Sequence, residues 1–137
     1  MLQGGWTLPM AFRILVADDQ TETLVALAAL LQQQRPGCTV ALASTGSDAL
    51  RRLLDEGPFD LSLLDLHMPG LTGLEVLAQL RSMGQSIPSI LMTADPSRAV
   101  ELAALELGVI TMLRKPIPAE VLRVVVEQVH FKRSGSF

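Results

Sequence analysis

The 137 residues suffice for one domain with a sizeable core, and 49% apolar against 18% charged residues exclude a disordered chain. A net charge of -3 with no long basic run argues against direct nucleic-acid binding. The single Cys38 forms no internal disulfide, two histidines argue against a zinc site, and no apolar run approaches membrane-spanning length.

Residues 1–11 include Trp6 but no positively charged leader region, so they read as an extension and not a signal peptide. The expected location is the cytoplasm. Residues 12–17, Phe-Arg-Ile-Leu-Val-Ala, read as the first strand and end in Asp18-Asp19-Gln20. Adjacent carboxylates after a buried strand raise each other's pKa unless a cation or donor offsets them. Two readings stay open there: a divalent-ion site, or a helix cap supplied by an Asp or by Thr21. A helix over 23–34 follows, with Leu24, Leu27, Ala28 and Leu31 on one face, and Arg35-Pro36-Gly37 stops it. Cys38 reads as a small core residue before a short second strand, 40–43. Ser47 is the expected cap of a helix carrying Ala49, Leu50, Leu53 and Leu54, which Gly57-Pro58 ends.

The third strand, 60–64, opens into Asp65-Leu66-His67-Met68-Pro69-Gly70-Leu71-Thr72-Gly73. Pro69 stiffens this loop, and Gly70 and Gly73 permit tight turns. A lone Asp in such a place is either a turn residue bonding local backbone or a group held for chemistry. The next helix carries Leu74, Leu77, Ala78 and Arg81 and stops near Gly84. A fourth strand, 89–92, ends in Thr93-Ala94-Asp95, with Asp95 the expected cap and Pro96 in the first turn of a helix that ends at Gly108. A fifth strand, 109–113, leads into Arg114-Lys115-Pro116-Ile117-Pro118. The last helix covers 119–131, with His130 near its exposed end. The expected organisation is an extension at 1–11, one domain at 12–131 and a frayed tail at 132–137.

Five strand–helix alternations with near-continuous apolar strands predict an α/β fold, a parallel sheet covered on both faces. Such a sheet gathers the C-terminal strand ends at one edge, where ligands collect. Asp18, Asp19, Asp65, Thr93 and Lys115 all fall there. Three carboxylates with a backbone carbonyl suit Mg2+, a hard ion that prefers oxygen ligands. Lys115 offers a point charge to a phosphoryl oxygen, and the Thr93 hydroxyl and the Ala94 N–H offer hydrogen bonds beside it. Asp65 then reads as a nucleophile that forms an aspartyl-phosphate.

On these motifs the chain resembles the response-regulator receiver domains of two-component signalling, from Arg13 to Phe131. The matching elements are Asp-Asp after strand one, Asp-Leu-His-Met-Pro-Gly-Leu-Thr-Gly after strand three, Thr-Ala after strand four and Lys-Pro after strand five. The resemblance implies a three-layer, flavodoxin-like (βα)5 sandwich with strand order 2-1-3-4-5. It implies that Asp65 is the phospho-acceptor, and that Asp19, Asp65 and the His67 backbone carbonyl hold the metal directly. Asp18 is implied as the outer acid, Thr93 as the switch hydroxyl and Lys115 as the phosphate contact. The His67 side chain is expected to border the site. One departure stands out. Receivers usually carry Tyr or Phe three residues before the lysine, where this chain has Met112, which fills space flexibly but has no ring.

The fourth helix carries Val100, Ala103, Ala104 and Leu107 on one stripe and Ala99, Leu102 and Leu105 on another. The fifth carries Leu122, Val125, Val126 and Val129, plus Val121 and Val124. A surplus stripe on each is expected to be exposed and to mark a partner surface. The resemblance implies a homodimer through this face. The expected function is a phospho-acceptor module served by a histidine kinase or phosphotransfer protein, catalysing only its own phosphorylation and dephosphorylation, with no nucleic acid or membrane bound directly. The alternatives are a phosphorylation-independent interaction module, a receiver fragment of a DNA-binding regulator or hybrid kinase, and a small phosphatase with an Asp nucleophile.

Overall fold

Five short Leu-, Ile- and Val-rich runs become strands because helices bury both of their faces. The computed structural model describes residues 12–133; the expected extension at 1–11 and residues 134–137 lie outside the described residues. In order come β1 (Arg13–Ala17), α1 (Thr21–Gln34), β2 (Thr39–Ala43), α2 (Gly46–Asp55) and β3 (Leu61–Asp65). Then follow α3 (Gly73–Ser82), β4 (Ser89–Thr93), α4 (Arg98–Glu106), β5 (Thr111–Arg114) and α5 (Ala119–Arg133). All strands pair in parallel, in the order β2-β1-β3-β4-β5. This is the expected flavodoxin-like sandwich.

Alternation along the strands builds two cores. Ile14, Val16, Leu63, Ile90 and Met92 face one side, where α1 brings Leu24, Leu27 and Leu31 and α5 brings Leu122, Val126 and Val129. Leu15, Ala17, Leu64 and Leu91 face the other, against Ala49 and Leu53 of α2, Val76, Leu77 and Leu80 of α3, and Ala104 of α4. Each fully buried leucine contributes about 1.5–3 kcal/mol of transfer free energy. The central strands β3 and β4 are buried throughout, so their C-terminal ends form a rigid platform.

Helix starts differ from the expected ones. Thr45, not Ser47, caps α2; its backbone is extended and its hydroxyl accepts from the Asp48 N–H at 3.0 Å. Ser97, not Asp95, caps α4 and accepts from the Val100 N–H at 3.2 Å, so Pro96 precedes the cap. Neither an Asp nor Thr21 caps α1: Gln20 holds that position without a side-chain bond. β5 begins two residues late because the turn through Gly108 (φ +76°) still closes α4, with the Val109 N–H donating to the Ala104 carbonyl at 3.0 Å. α5 runs to Arg133, two residues past its expected end. His130 lies near the end of the last helix as expected but is half-buried, meeting the Phe12 ring edge-on with centroids 4.8 Å apart, and Arg35 is bonded to its Nδ1. Cys38 is buried as expected, and burial pushes its thiol up, partly offset by Arg35.

The second stripe is exposed on both late helices, at Leu102 and Leu105 of α4 and at Val121 and Val124 of α5. No helix among the described residues is long and apolar enough to cross a membrane.

Candidate functional site

Strand register brings the acids together. Ala17 of β1 pairs with Leu64 of β3, so the next residues, Asp18 and Asp65, stand level at the same edge. Asp65 pairs with Met92 of β4, which places Thr93 one step on, and Thr93 pairs with Arg114 of β5, which places Lys115 one step further. The loop after β3 is held by the Leu66 N–H on the Met92 carbonyl at 2.8 Å. It ends in a capping box, the Thr72 hydroxyl accepting from the Glu75 N–H while the Glu75 carboxylate accepts from the Thr72 N–H. The Thr-x-x-Glu spacing is the signal that could have located this box in the sequence.

Oxygen ligand atoms of Asp18, Asp19 and Asp65 all lie within 4.8 Å of one another. Asp18 is fully buried and Asp65 is 5% exposed, while Asp19 faces solvent. Lys115 reaches both buried acids, its Nζ 2.8 Å from Asp18 Oδ2 and 3.2 Å from Asp65 Oδ2. The remaining oxygens accept backbone bonds: Asp18 Oδ1 from the Gln20 N–H at 2.9 Å and Asp65 Oδ1 from the His67 N–H at 3.3 Å. Thr93 is buried, and its hydroxyl oxygen accepts from the Asp95 N–H at 3.1 Å.

Burial first, and then the charge of Asp18, push the Asp65 carboxyl above its ordinary value, against the pull of Lys115. Burial alone lowers the Lys115 ammonium, but its bonds to Asp18 and Asp65 and their charges outweigh burial and hold it above the usual lysine value. Three carboxylates against one ammonium leave negative charge in a confined place. The donor set is all oxygen, partly rigid and open to solvent at Asp19, and this fits a hard divalent ion that keeps several waters.

An open groove of about 750 Å3 leads to these groups; Asp19, Asp65, His67, Ala94 and Lys115 line it. A larger cavity of about 900 Å3 lies at the opposite end of the sheet, between Leu80 of α3, Leu105 of α4 and Val124 of α5. None of the acids borders it, so we assign it no part in this chemistry. Every residue expected at the site is thus at one rim. The direct Lys115–Asp18 pair has no signal in the sequence, because nothing there sets the reach of a side chain across three strands. Met112 pairs with Leu91 and is partly buried against the second core.

The chain is similar to known proteins in sequence and in fold. A family model described as "Response regulator receiver domain" matches residues 14–127. The chain is 40% identical over 113 residues to "Response regulator MprA" of Mycobacterium ulcerans, covering 82% of this chain and 47% of that protein. It is 34% identical over 125 residues to "Transcriptional regulatory protein ZraR" of Salmonella typhimurium, covering 90% and 28% respectively. Among solved structures, "Structure of the Francisella response regulator 1452 receiver domain" superposes with a TM-score of 0.80 at 25% identity, covering 88% of this chain and 98% of that one. The chain spans about half the length of the MprA relatives it matches.

Proposed function

The chain belongs to the response regulator receiver domain family, and from that premise we propose that it takes up a phosphoryl group on Asp65. The observation that carries this reading is the convergence of Asp19, Asp65 and Lys115 on one groove, with Asp18 buried beside them and bonded to Lys115. The donor is a phosphohistidine of a histidine kinase or phosphotransfer protein. An Asp65 carboxylate oxygen bonds to phosphorus, the phosphorus–nitrogen bond breaks, and the imidazole leaves with the electron pair and takes a proton from water.

Each neighbour has a task that suits its position. Asp19, Asp65 and the His67 backbone carbonyl would hold Mg2+, with Asp18 as the outer acid. When bound, the ion offsets charge on the transferring oxygens. Lys115 already lies beside Asp65 Oδ2 and places its positive charge where a phosphoryl oxygen arrives. The Thr93 oxygen accepts from Asp95, which leaves its own proton for another phosphoryl oxygen, next to the Ala94 N–H. Later attack by water releases phosphate, so the chain acts only on its own modification and turns over no metabolite.

Exposed Leu102, Leu105, Val121 and Val124 support a partner surface on α4 and α5, which we assign to a second copy of the chain. Light scattering with and without a phosphate mimic tests it; a monomer in both states rejects the assignment. We place the protein in the cytoplasm, with residues 12–131 as the working receiver unit. Met112 favours one rival, a phosphorylation-independent interaction module, since no ring is present to report the state of the site. Intact-mass measurement after incubation with Mg2+ and a small phosphodonor decides between the two. The proposal expects one added phosphoryl group on the wild type and none on Asp65→Ala; no addition to the wild type supports the rival.

A further inference from the structure

α2 contributes no residue to the acidic site, yet its first residue touches the loop that follows Asp65. The Gly46 N–H lies 3.4 Å from the Pro69 carbonyl oxygen, which accepts from it. A Cβ built on Gly46 would fall 2.0 Å from the Leu71 carbonyl oxygen and 2.7 Å from both the Leu71 carbonyl carbon and its Cβ. The nearest of these are backbone atoms, so no rotamer change relieves the clash. Gly46 is not among the glycines with positive φ, so what the position requires is space and not left-handed backbone.

The far end of the same loop is seated in the same way. A Cβ on Gly73 would lie 2.7 Å from the Asp65 carbonyl oxygen and 2.9 Å from Leu91 Cδ2, and the Gly73 N–H donates to the Leu66 carbonyl at 3.1 Å. The segment from Leu66 to Thr72 is therefore clamped between two helix starts that carry no side chain. His67, whose carbonyl the proposed site uses, lies inside the clamp.

We infer that Gly46 is a positioning residue: by letting the 69–71 backbone rest on the start of α2, it fixes where the His67 carbonyl stands and so sets the Mg2+ affinity of a site it does not touch. This rests on the Asp65-centred reading above. Alanine at 46 suits a helix better than glycine in itself, so its effect arises through the displaced loop.

The test is calorimetric Mg2+ titration of the full chain, with amide spectra recorded before each titration. Gly46→Ala is expected to shift the amides of Leu66, His67, Met68, Gly70 and Leu71 without any metal and to weaken Mg2+ binding about tenfold, as loss of an outer support does at metal sites. Leu31→Ala, buried in the core on the other face of the sheet, is the control: it lowers the melting temperature and leaves Mg2+ affinity unchanged. Wild-type Mg2+ affinity in folded Gly46→Ala overturns the inference. If Gly46→Ala does not fold, Leu71→Gly decides, since it removes the Leu71 Cβ that lies against Gly46 and loosens the 69–71 backbone, and it is expected to weaken Mg2+ binding in the same direction; unchanged affinity there overturns the inference equally. Asp19→Asn separates the two claims: if that variant binds Mg2+ like the wild type, the site reading itself fails, whatever Gly46 does.

Discussion

Replacing Asp65 by asparagine should make the metal-free protein more stable at neutral pH. Asp65 is nearly buried, with a ligand oxygen of Asp18 within 4.8 Å and the Lys115 ammonium at 3.2 Å. At an effective dielectric of ~20, two negative charges at that spacing repel by about 3.5 kcal/mol. The Asp65→Asn change removes this repulsion and the cost of burying a charge. It keeps an oxygen for Lys115 but loses the ionic share of that bond, about 5 kcal/mol at the same dielectric and 3.2 Å, so the cost of burying the charge, the largest of the effects on Asp65, decides the sign. The balance is a gain of about 1–2 kcal/mol, or about 3–8 °C in Tm for a domain of this size. The pH dependence has a definite sign. The folded Asp65 carboxyl titrates above its ordinary 3.8, first because of burial and then because of Asp18. The folded state therefore holds that proton more tightly. The stability this group contributes is full below 3.8 and is lost as pH rises through the folded value. The advantage of asparagine is thus full above the folded value and shrinks as pH falls towards the ordinary 3.8. The assay is urea unfolding across that range in a chelating buffer, repeated with Mg2+. At ten times its Kd, the ion stabilises the wild type by about 1.4 kcal/mol and narrows the gap. An Asp65→Asn protein less stable than the wild type at neutral pH without metal refutes the reasoning.

Lys115→Met leaves Asp18 buried without its ammonium partner and should lower stability by about 2–4 kcal/mol in a chelating buffer, with part of the loss restored by Mg2+; urea unfolding with and without the ion checks both. Thr72→Ala removes half of the capping box on α3 and should cost about 1 kcal/mol, seen as a lower Tm. The His130 imidazole is held below its ordinary 6.5, first by burial and then by Arg35, with Asp60 opposing. Its contribution to stability is therefore full above 6.5 and lost as pH falls through the folded value, so His130→Gln should flatten the acid side of the stability profile measured by urea unfolding. Leu105→Glu changes a side chain that is 72% exposed; it should alter stability by less than about 0.5 kcal/mol and abolish self-association seen by light scattering.

The strand ends are the most legible part of this chain. A parallel sheet allows little choice about where the residue after a buried strand goes, so local pattern alone places Asp18, Asp65, Thr93 and Lys115 at one rim. Helix starts are less legible because neighbouring residues compete for the same task. Thr45 and Ser47 both carry hydroxyls, and Asp95 and Ser97 both carry acceptors; the winner is the residue whose backbone is still extended where the helix begins. Helix phase is partly legible. On α3, Leu77 is buried as its spacing suggests, but Ala78 and Arg81 are exposed and Val76 and Leu80 take the inner face. Long-range contacts are the least legible. The reach of Lys115 to Asp18, the seat of the 69–71 backbone on Gly46 and the contact of His130 with Phe12 join residues far apart in sequence, and each depends on how layers settle against one another.

The central claim is that one carboxylate, Asp65, carries the phosphoryl group. An acyl phosphate is reduced by borohydride to an alcohol, which marks the modified residue permanently. Peptide mass analysis of protein treated with a small phosphodonor, Mg2+ and then borohydride is expected to find that reduction at Asp65 and to find none when the metal is chelated first. Reduction at a different carboxylate, or an unmodified Asp65 in protein that has gained phosphate, contradicts the account.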